Sequence, residues 1–251
     1  MLDFLYKKRM PEQLCDSVAE CVGKTPESVR AIVIHLRRAT ERLPLVEQLI
    51  GAVGPLMVWD AADGAAFVAG GHPTPCGMDP GVVRTAGEVG CMVSHITAMQ
   101  KALADGISHL VVFEDDCVPA PGFSLNKLRD YLQKIKQCST SFSLEAMNGL
   151  ILLGTCGCYR WKQISPGLKA TDHFNGSHAY SIGREMMAKV VHTYLQFLAQ
   201  GKTAPIDGLL PLLLQAEKLH AFCPEEDTGL FAQNRAIPSY VVSNGENLRT
   251  G

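Results

Sequence analysis

No apolar run in this chain approaches the ~20 residues needed to cross a bilayer, so any membrane contact is expected to be peripheral. The pattern G-x-G-x-x-G is missing as well, which argues against a dinucleotide cofactor. Charge of one sign is scarce: the net charge is -2, and Lys and Arg are scattered apart from Lys7 to Arg9. Nucleic acid is therefore disfavoured as a partner. Cysteine is present but not arranged as a framework, because nine is an odd number and Cys156 and Cys158 have no second pair at zinc-finger spacing. No apolar secretory segment opens the sequence, and free thiols in a reducing cytoplasm are expected. With 47% hydrophobic and 19% charged residues the chain is not a disordered one.

At 251 residues the chain suits one α/β domain with a small appendage. Leu14, Val18, Cys21 and Val22 stand at helical spacing before Gly23, so residues 1–28 read as a helical extension that packs on the domain of residues 29–251 or on a partner. Ala31 to Leu36 reads as a strand, followed by Arg37, Arg38 and Arg42 and a helix from Thr40, its N-cap, to Ile50. A short strand, Leu56 to Trp59, leads into Asp60 and the Asp63-Gly64 turn, and residues 70–81 read as a loop. Small residues at Gly87 and Gly90 allow close backbone approach in a helix that ends at Gly106. Beyond the strand at 109–113, helices are expected at Asn126–Gln137, Arg184–Phe197 and Gly208–Ala216, the last with Asp207 at or near its N-cap, and a strand at Gly149–Leu153. Cys156–His173 reads as a loop, Thr171 onward as an irregular stretch becoming a strand at His178–Ile182, and Ala221–Val242 as strand and loop.

The chemistry gathers at His109–Pro119, HLVVFEDDCVP. Four apolar residues, Leu110 to Phe113, have the content of a strand buried on both faces, and three carboxylates follow at once. In open α/β sheets the ligand crevice lies outside the carboxyl ends of the strands. Alternation puts Glu114 and Asp116 on one side and Asp115 on the other. Two acids aimed at one point favour a hard divalent cation, Mg²⁺ or Mn²⁺, that keeps coordination free for a phosphate. Alone, the same triplet also describes an acidic turn. The sequence strand, basic loop, helix at Arg37, Arg38 and Arg42 is in turn the opening of a nucleotide-binding unit, or ordinary surface charge.

Six segments in register, Ile32-Val-Ile-His-Leu-Arg37, Trp59-Asp-Ala-Ala-Asp-Gly64, Gly87-Glu-Val-Gly-Cys91 with Ser94-His95, Val112-Phe-Glu-Asp-Asp116, Gly176-Ser-His-Ala-Tyr180 and Pro205-Ile-Asp207, resemble glycosyltransferase family 25, which includes lipooligosaccharide β-galactosyltransferases and procollagen galactosyltransferases. The resemblance implies a GT-A-like, Rossmann-type α/β sandwich with a mixed, mostly parallel central sheet, and inverting transfer from a UDP-sugar with Mn²⁺ or Mg²⁺. It assigns Asp116, Glu114 and His178 to the metal, and Arg37, Arg38, Arg42, Asp60, His95, Glu114 and Asp115 to the donor. An acceptor hydroxyl needs a general base; Asp207 is the first candidate, then Glu88 and Asp172. Galactose transfer to a glycan such as lipooligosaccharide, in the cytoplasm or at the inner-membrane surface, is the expectation. A UDP-glucose-dependent enzyme acting on a protein or other acceptor, or a metal- or sugar-binding scaffold, are the alternatives. The tail Asn244–Gly251 lacks the basic aromatic character that would favour a membrane surface.

Overall fold

A computed structural model describes residues 13–69, 76–77, 85–139, 149–225 and 230–236. The first residues of the expected extension, most of the loop at 70–81 and the tail from Asn244 lie outside the described residues. The element order is α1 (Gln13–Val22), β1 (Val29–His35), α2 (Leu43–Val53), β2 (Met57–Asp60), α3 (Gly64–Ala69), β3 (Cys76–Gly77), α4 (Ala86–Ala104), β4 (His109–Glu114), β5 (Cys117–Pro119), α5 (Leu125–Ser139), β6 (Leu150–Gly154), β7 (Gly157–Ser165), β8 (Leu168–Asn175), β9 (Ala179–Gly183), α6 (Arg184–Ala199), β10 (Lys202–Thr203), α7 (Ile206–Ala216), β11 (Ala221–Pro224) and β12 (Phe231–Gln233).

Eight strands form one sheet in the order β2-β1-β4-β9-β6-β11-β8-β7. Six of them run the same way; β9 and β8 run against the rest, which makes the sheet mixed but mostly parallel in direction. The chain leaves β1 for β2 on one side and returns to β4 on the other, so β1 and β4 flank a topological switch point. Their carboxyl ends are therefore where a crevice opens.

Side chains that alternate across the sheet divide the core into two layers. Val33, Val111, Phe113, Ile151 and Leu153 pack with α1, α2 and α5 on one face. Ile32, Ile34, Leu110, Val112 and Leu152 pack with α4, α6 and α7 on the other. Burial on both faces is why these strands read as continuous apolar runs, each fully buried aliphatic side chain contributing about 1.5–3 kcal/mol. Helix α1 belongs to this core, with Leu14 and Val18 buried and Cys21 Sγ donating to the Leu132 carbonyl of α5.

Several local expectations are corrected. Thr40–Arg42 is a 3₁₀ turn and the α-helix begins at Leu43 with no side-chain cap, because Pro44 suits the first helical turn and presets its backbone. The expected loop after Cys156 is instead a long antiparallel hairpin, β7 paired with β8 from Gly157↔Asn175 to Ser165↔Leu168. The polar stretch from Thr171 is therefore strand: cross-strand pairing, not apolar pattern, decides its conformation. Asp207 does lie near the start of α7 as expected, in its first turn, with Pro205 as the N-cap.

Close approach of α3 to α4 rests on two glycines. A Cβ on Gly90 would stand 2.6 Å from the Ala62 carbonyl oxygen, and one on Gly64 1.6 Å from that of Ala86. Nothing lies within 4 Å of a Cβ on Gly51 in α2. Gly90→Ala is expected to lower stability by about 1–3 kcal/mol through overpacking, whereas Gly51→Ala raises it by about 0.5–1 kcal/mol. Urea unfolding of the two variants measures both signs, and equal effects at the two positions would contradict the packing described.

Candidate active site

The end of β1 and the end of β4 are joined by a buried charge cluster. Asp115 is 6% exposed; its Oδ2 accepts from His35 Nδ1 at 2.9 Å and from the Leu36 amide at 3.3 Å, and its Oδ1 pairs with Arg42 Nη1. Burial raises the pKa of this carboxyl, but the His35 hydrogen bond and the Arg42 charge outweigh it and hold Asp115 below its ordinary value. Asp115 thus borders the small cleft beside Glu114 and Asp116, with both carboxylate oxygens committed to partners from the β1 side.

Glu114 is the last residue of β4 and is held by His95, whose Nε2 lies 3.2 Å from Glu114 Oε1. The other ring nitrogen, Nδ1, is 2.8 Å from the Tyr180 hydroxyl on β9, and the two rings stack with centroids 5.8 Å apart. If Nε2–H donates to the carboxylate, Nδ1 accepts from the phenol, which fixes the ring and through it Glu114. Desolvation works against the charge on Glu114, but the His95 hydrogen bond prevails and its pKa is lowered. Cys91, one helical turn before His95 on α4, brings its sulfur near both groups: the three candidate ligand atoms lie within 4.8 Å of one another.

Asp116 is the opposite case. It is 6% exposed, Oδ1 is buried without a hydrogen-bond partner, and Oδ2 accepts from Gln233 Nε2 at 3.2 Å. Burial first and Glu114 second push its carboxyl up to about 7, and Arg42, 3.7 Å away, only partly offsets them. His178, 2% exposed, donates Nε2–H to the Phe231 carbonyl at 3.1 Å and leaves Nδ1 buried and unpartnered. Desolvation lowers its pKa and keeps the imidazole neutral, with a bare lone pair on Nδ1. An imidazole whose other N–H is tied to a backbone carbonyl is the arrangement expected of a metal-ligating histidine. An acid that resists ionisation, an orphaned carboxylate oxygen and an orphaned imidazole nitrogen fit a divalent cation.

Two cavities meet at these acids. A cleft of about 110 Å³ is walled by Arg38, Asp63, Gly87 and Ser94. A wider cavity of about 900 Å³ is walled by Glu88, Gly176, His178, Asp207 and Arg235. Cys91, Glu114, Asp116 and Gln233 belong to both walls.

The expected donor arginines part company. Arg37 is bound to Asp60 at the exposed surface, outside both cavity walls; Arg38 Nε lies 2.8 Å from Asp63 in the wall of the small cleft; Arg42, 6% exposed and paired with Asp115, belongs to the same wall. Among the candidate bases, Asp207 faces the wide cavity, where its Oδ2 accepts from the Gly176 amide at 3.3 Å. Glu88 lines the same cavity but closes a capping box with Thr85 at the start of α4. Asp172 lies in the β7–β8 hairpin, 3.8 Å from Arg160, and belongs to neither wall. Gln233 was not legible in the sequence: β12 reaches Asp116 by pairing with β5 across more than a hundred residues.

Residues 81–209 match the sequence family described as Glycosyltransferase family 25 (LPS biosynthesis protein). The chain belongs to that family and is a glycosyltransferase. The match contains the GEVGC, EDD, GSHAY and PID segments; those around Arg37 and Asp60 precede it. No curated protein sequence matches the chain. Among solved structures, mannose-1-phosphate geranyltransferase from Thermus thermophilus is similar at a TM-score of 0.38 and 15% identity, over 77% of this chain and 73% of that one. UDP-glucose pyrophosphorylase complexed with UDP-glucose is similar at 0.41 and 10%, over 89% and 81%. Likeness at this level speaks for neither substrate nor chemistry.

Arg42→Met keeps the aliphatic bulk but strands a buried carboxylate, and is expected to cost about 3 kcal/mol of stability. Denaturant unfolding beside Arg37→Met, expected within about 1 kcal/mol of the parent because its ion pair is exposed, checks the contrast.

Proposed function

We propose that this glycosyltransferase is divalent-metal dependent and inverting, and moves a hexose, galactose by family resemblance, from a UDP-sugar to a hydroxyl of a glycan acceptor. The observation that carries the reading is the pair Glu114 and Asp116 in the shared wall of two cavities. A nucleotide in the small cleft would place its diphosphate at the junction, and an acceptor in the wide cavity would approach from the other side.

Asp116 and His178 would hold the ion, Mn²⁺ or Mg²⁺, with Glu114 beside them. When bound, such an ion supplies positive charge against the negative charge that builds on the departing diphosphate. His95 and Tyr180 keep Glu114 oriented. Arg38 lines the cleft as a cation for the donor; Arg42 and Asp115 also border it, but are bound to each other. Asp207 takes the proton from the attacking hydroxyl: it stands in the acceptor cavity, and the single Gly176 amide orients its carboxylate while leaving acceptor capacity free.

Calorimetric titration with UDP, with and without Mn²⁺, tests the first half. Binding that requires metal and vanishes in Asp116→Ala is expected; no binding of UDP under any metal would overturn the reading. Asp207→Asn tests the second half: UDP binding is retained and turnover falls about 100- to 10,000-fold. Unchanged turnover would move the base elsewhere.

A further inference from the structure

Four large hydrophobic side chains are notably exposed among the described residues, and two of them, Tyr159 at 48% and Trp161 at 49%, are neighbours on β7. This is the outer edge strand of the main sheet. Both pair with β8, Tyr159 opposite His173 and Trp161 opposite Thr171. Each ring is braced by a cross-strand partner. Tyr159 meets the edge of His173 with centroids 5.7 Å apart, and Lys169 Nζ sits 4.1 Å from the Trp161 ring centroid.

The strand starts at the wide cavity. Cys156, which precedes Gly157, and Asn175, which pairs with Gly157, both belong to that cavity's wall. The Tyr159 hydroxyl folds back over Gly157, 3.3 Å from where a Cβ would stand. Cavity rim, Tyr159 and Trp161 are thus successive stations along one strand, about 6–7 Å per two residues.

We propose that Tyr159 and Trp161 form an extended subsite on which the inner sugar rings of an oligosaccharide acceptor stack, with its terminal residue in the cavity of Asp207. The inference rests on the glycosyltransferase reading above and narrows the acceptor to a chain of at least two sugars. A pyranose turns a face of C–H bonds outward, apolar and positive at its hydrogens, which complements the negative face of an aromatic ring. Rings already braced by neighbours lose little freedom on binding. Pairing with a foreign strand is the competing use of an edge, and β7 is guarded against it: Arg160 has φ 49°, which interrupts the ladder, and Lys162 projects a charge.

The test uses the full chain on an array of immobilised oligosaccharides of one to six residues, with metal-dependent UDP binding measured in parallel. Glycans of two or more residues are expected to be captured. Their retention should drop about tenfold or more in Trp161→Ala, and further in Tyr159→Ala/Trp161→Ala, yet largely return in Trp161→Phe, while UDP binding stays at the parent's level. Capture of no glycan by the parent, or equal capture by parent and double variant, would overturn the subsite. Loss of UDP binding in the parent would instead sink the donor reading, so the two failures are distinct.

Discussion

Everything at the head of the sheet depends on keeping one buried carboxylate charged. Asp115 ends the approach of β4 to β1, and three groups from the β1 side converge on it: the His35 imidazole, the Leu36 amide and the Arg42 guanidinium. A carboxylate so deep costs several kcal/mol to desolvate unless it is paired and hydrogen-bonded, and here it is both. The clamp fixes the 3₁₀ turn that carries Arg42 and locks the carboxyl ends of the two strands at the switch point. Its neighbours on either side, Glu114 and Asp116, then face the cavities with no freedom to turn inward.

Three adjacent acids therefore occupy two opposed electrostatic states on one short stretch of backbone. Asp115 and Glu114 are held below the ordinary carboxylate range by histidine and arginine partners, and Asp116 is lifted by burial and by Glu114. Histidines divide the work in a matching way: His35 and His95 face carboxylates, whereas His178 faces a backbone carbonyl and keeps a bare nitrogen. The last has a ring nitrogen open to a cation, whereas His95 could join one only together with Cys91 and Glu114.

The distant parts of the chain serve this centre from both faces. Helix α4 supplies Cys91 and His95, and it can approach α3 and the turn before it because Gly90 and Gly64 carry no side chain where the backbones meet. Ser94 ties the same contact, accepting from the Ala62 amide at 2.8 Å and donating to the Gly90 carbonyl. From the far end of the chain, β12 presents Phe231 to His178 and Gln233 to Asp116. The β7–β8 hairpin extends the wide cavity along the sheet edge, with its two half-exposed aromatic rings leading away from the rim.

What could be read directly was whatever burial on both faces had written into the composition. Leu110–Phe113 and Leu150–Leu153 read as strands because they are short apolar runs bounded by polar or glycine residues, and the carboxylates after the first marked the crevice. Helices α5 and α6 were legible from their apolar stripes in the same way. The hairpin was not, since an edge strand with one exposed face and polar residues has no apolar signature, and only pairing with β8 makes it a strand. Nor could composition separate Arg37, Arg38 and Arg42: their different fates come from partners at Asp60, Asp63 and Asp115, between 23 and 73 residues away. Apolar burial is a local property of residue types, so the layers and the place of the acids could be read from the order of residues alone. Which acid stays charged, which histidine keeps a free nitrogen and which glutamine reaches the site are pairings between remote segments, and these arise only when the folded chain brings those segments together.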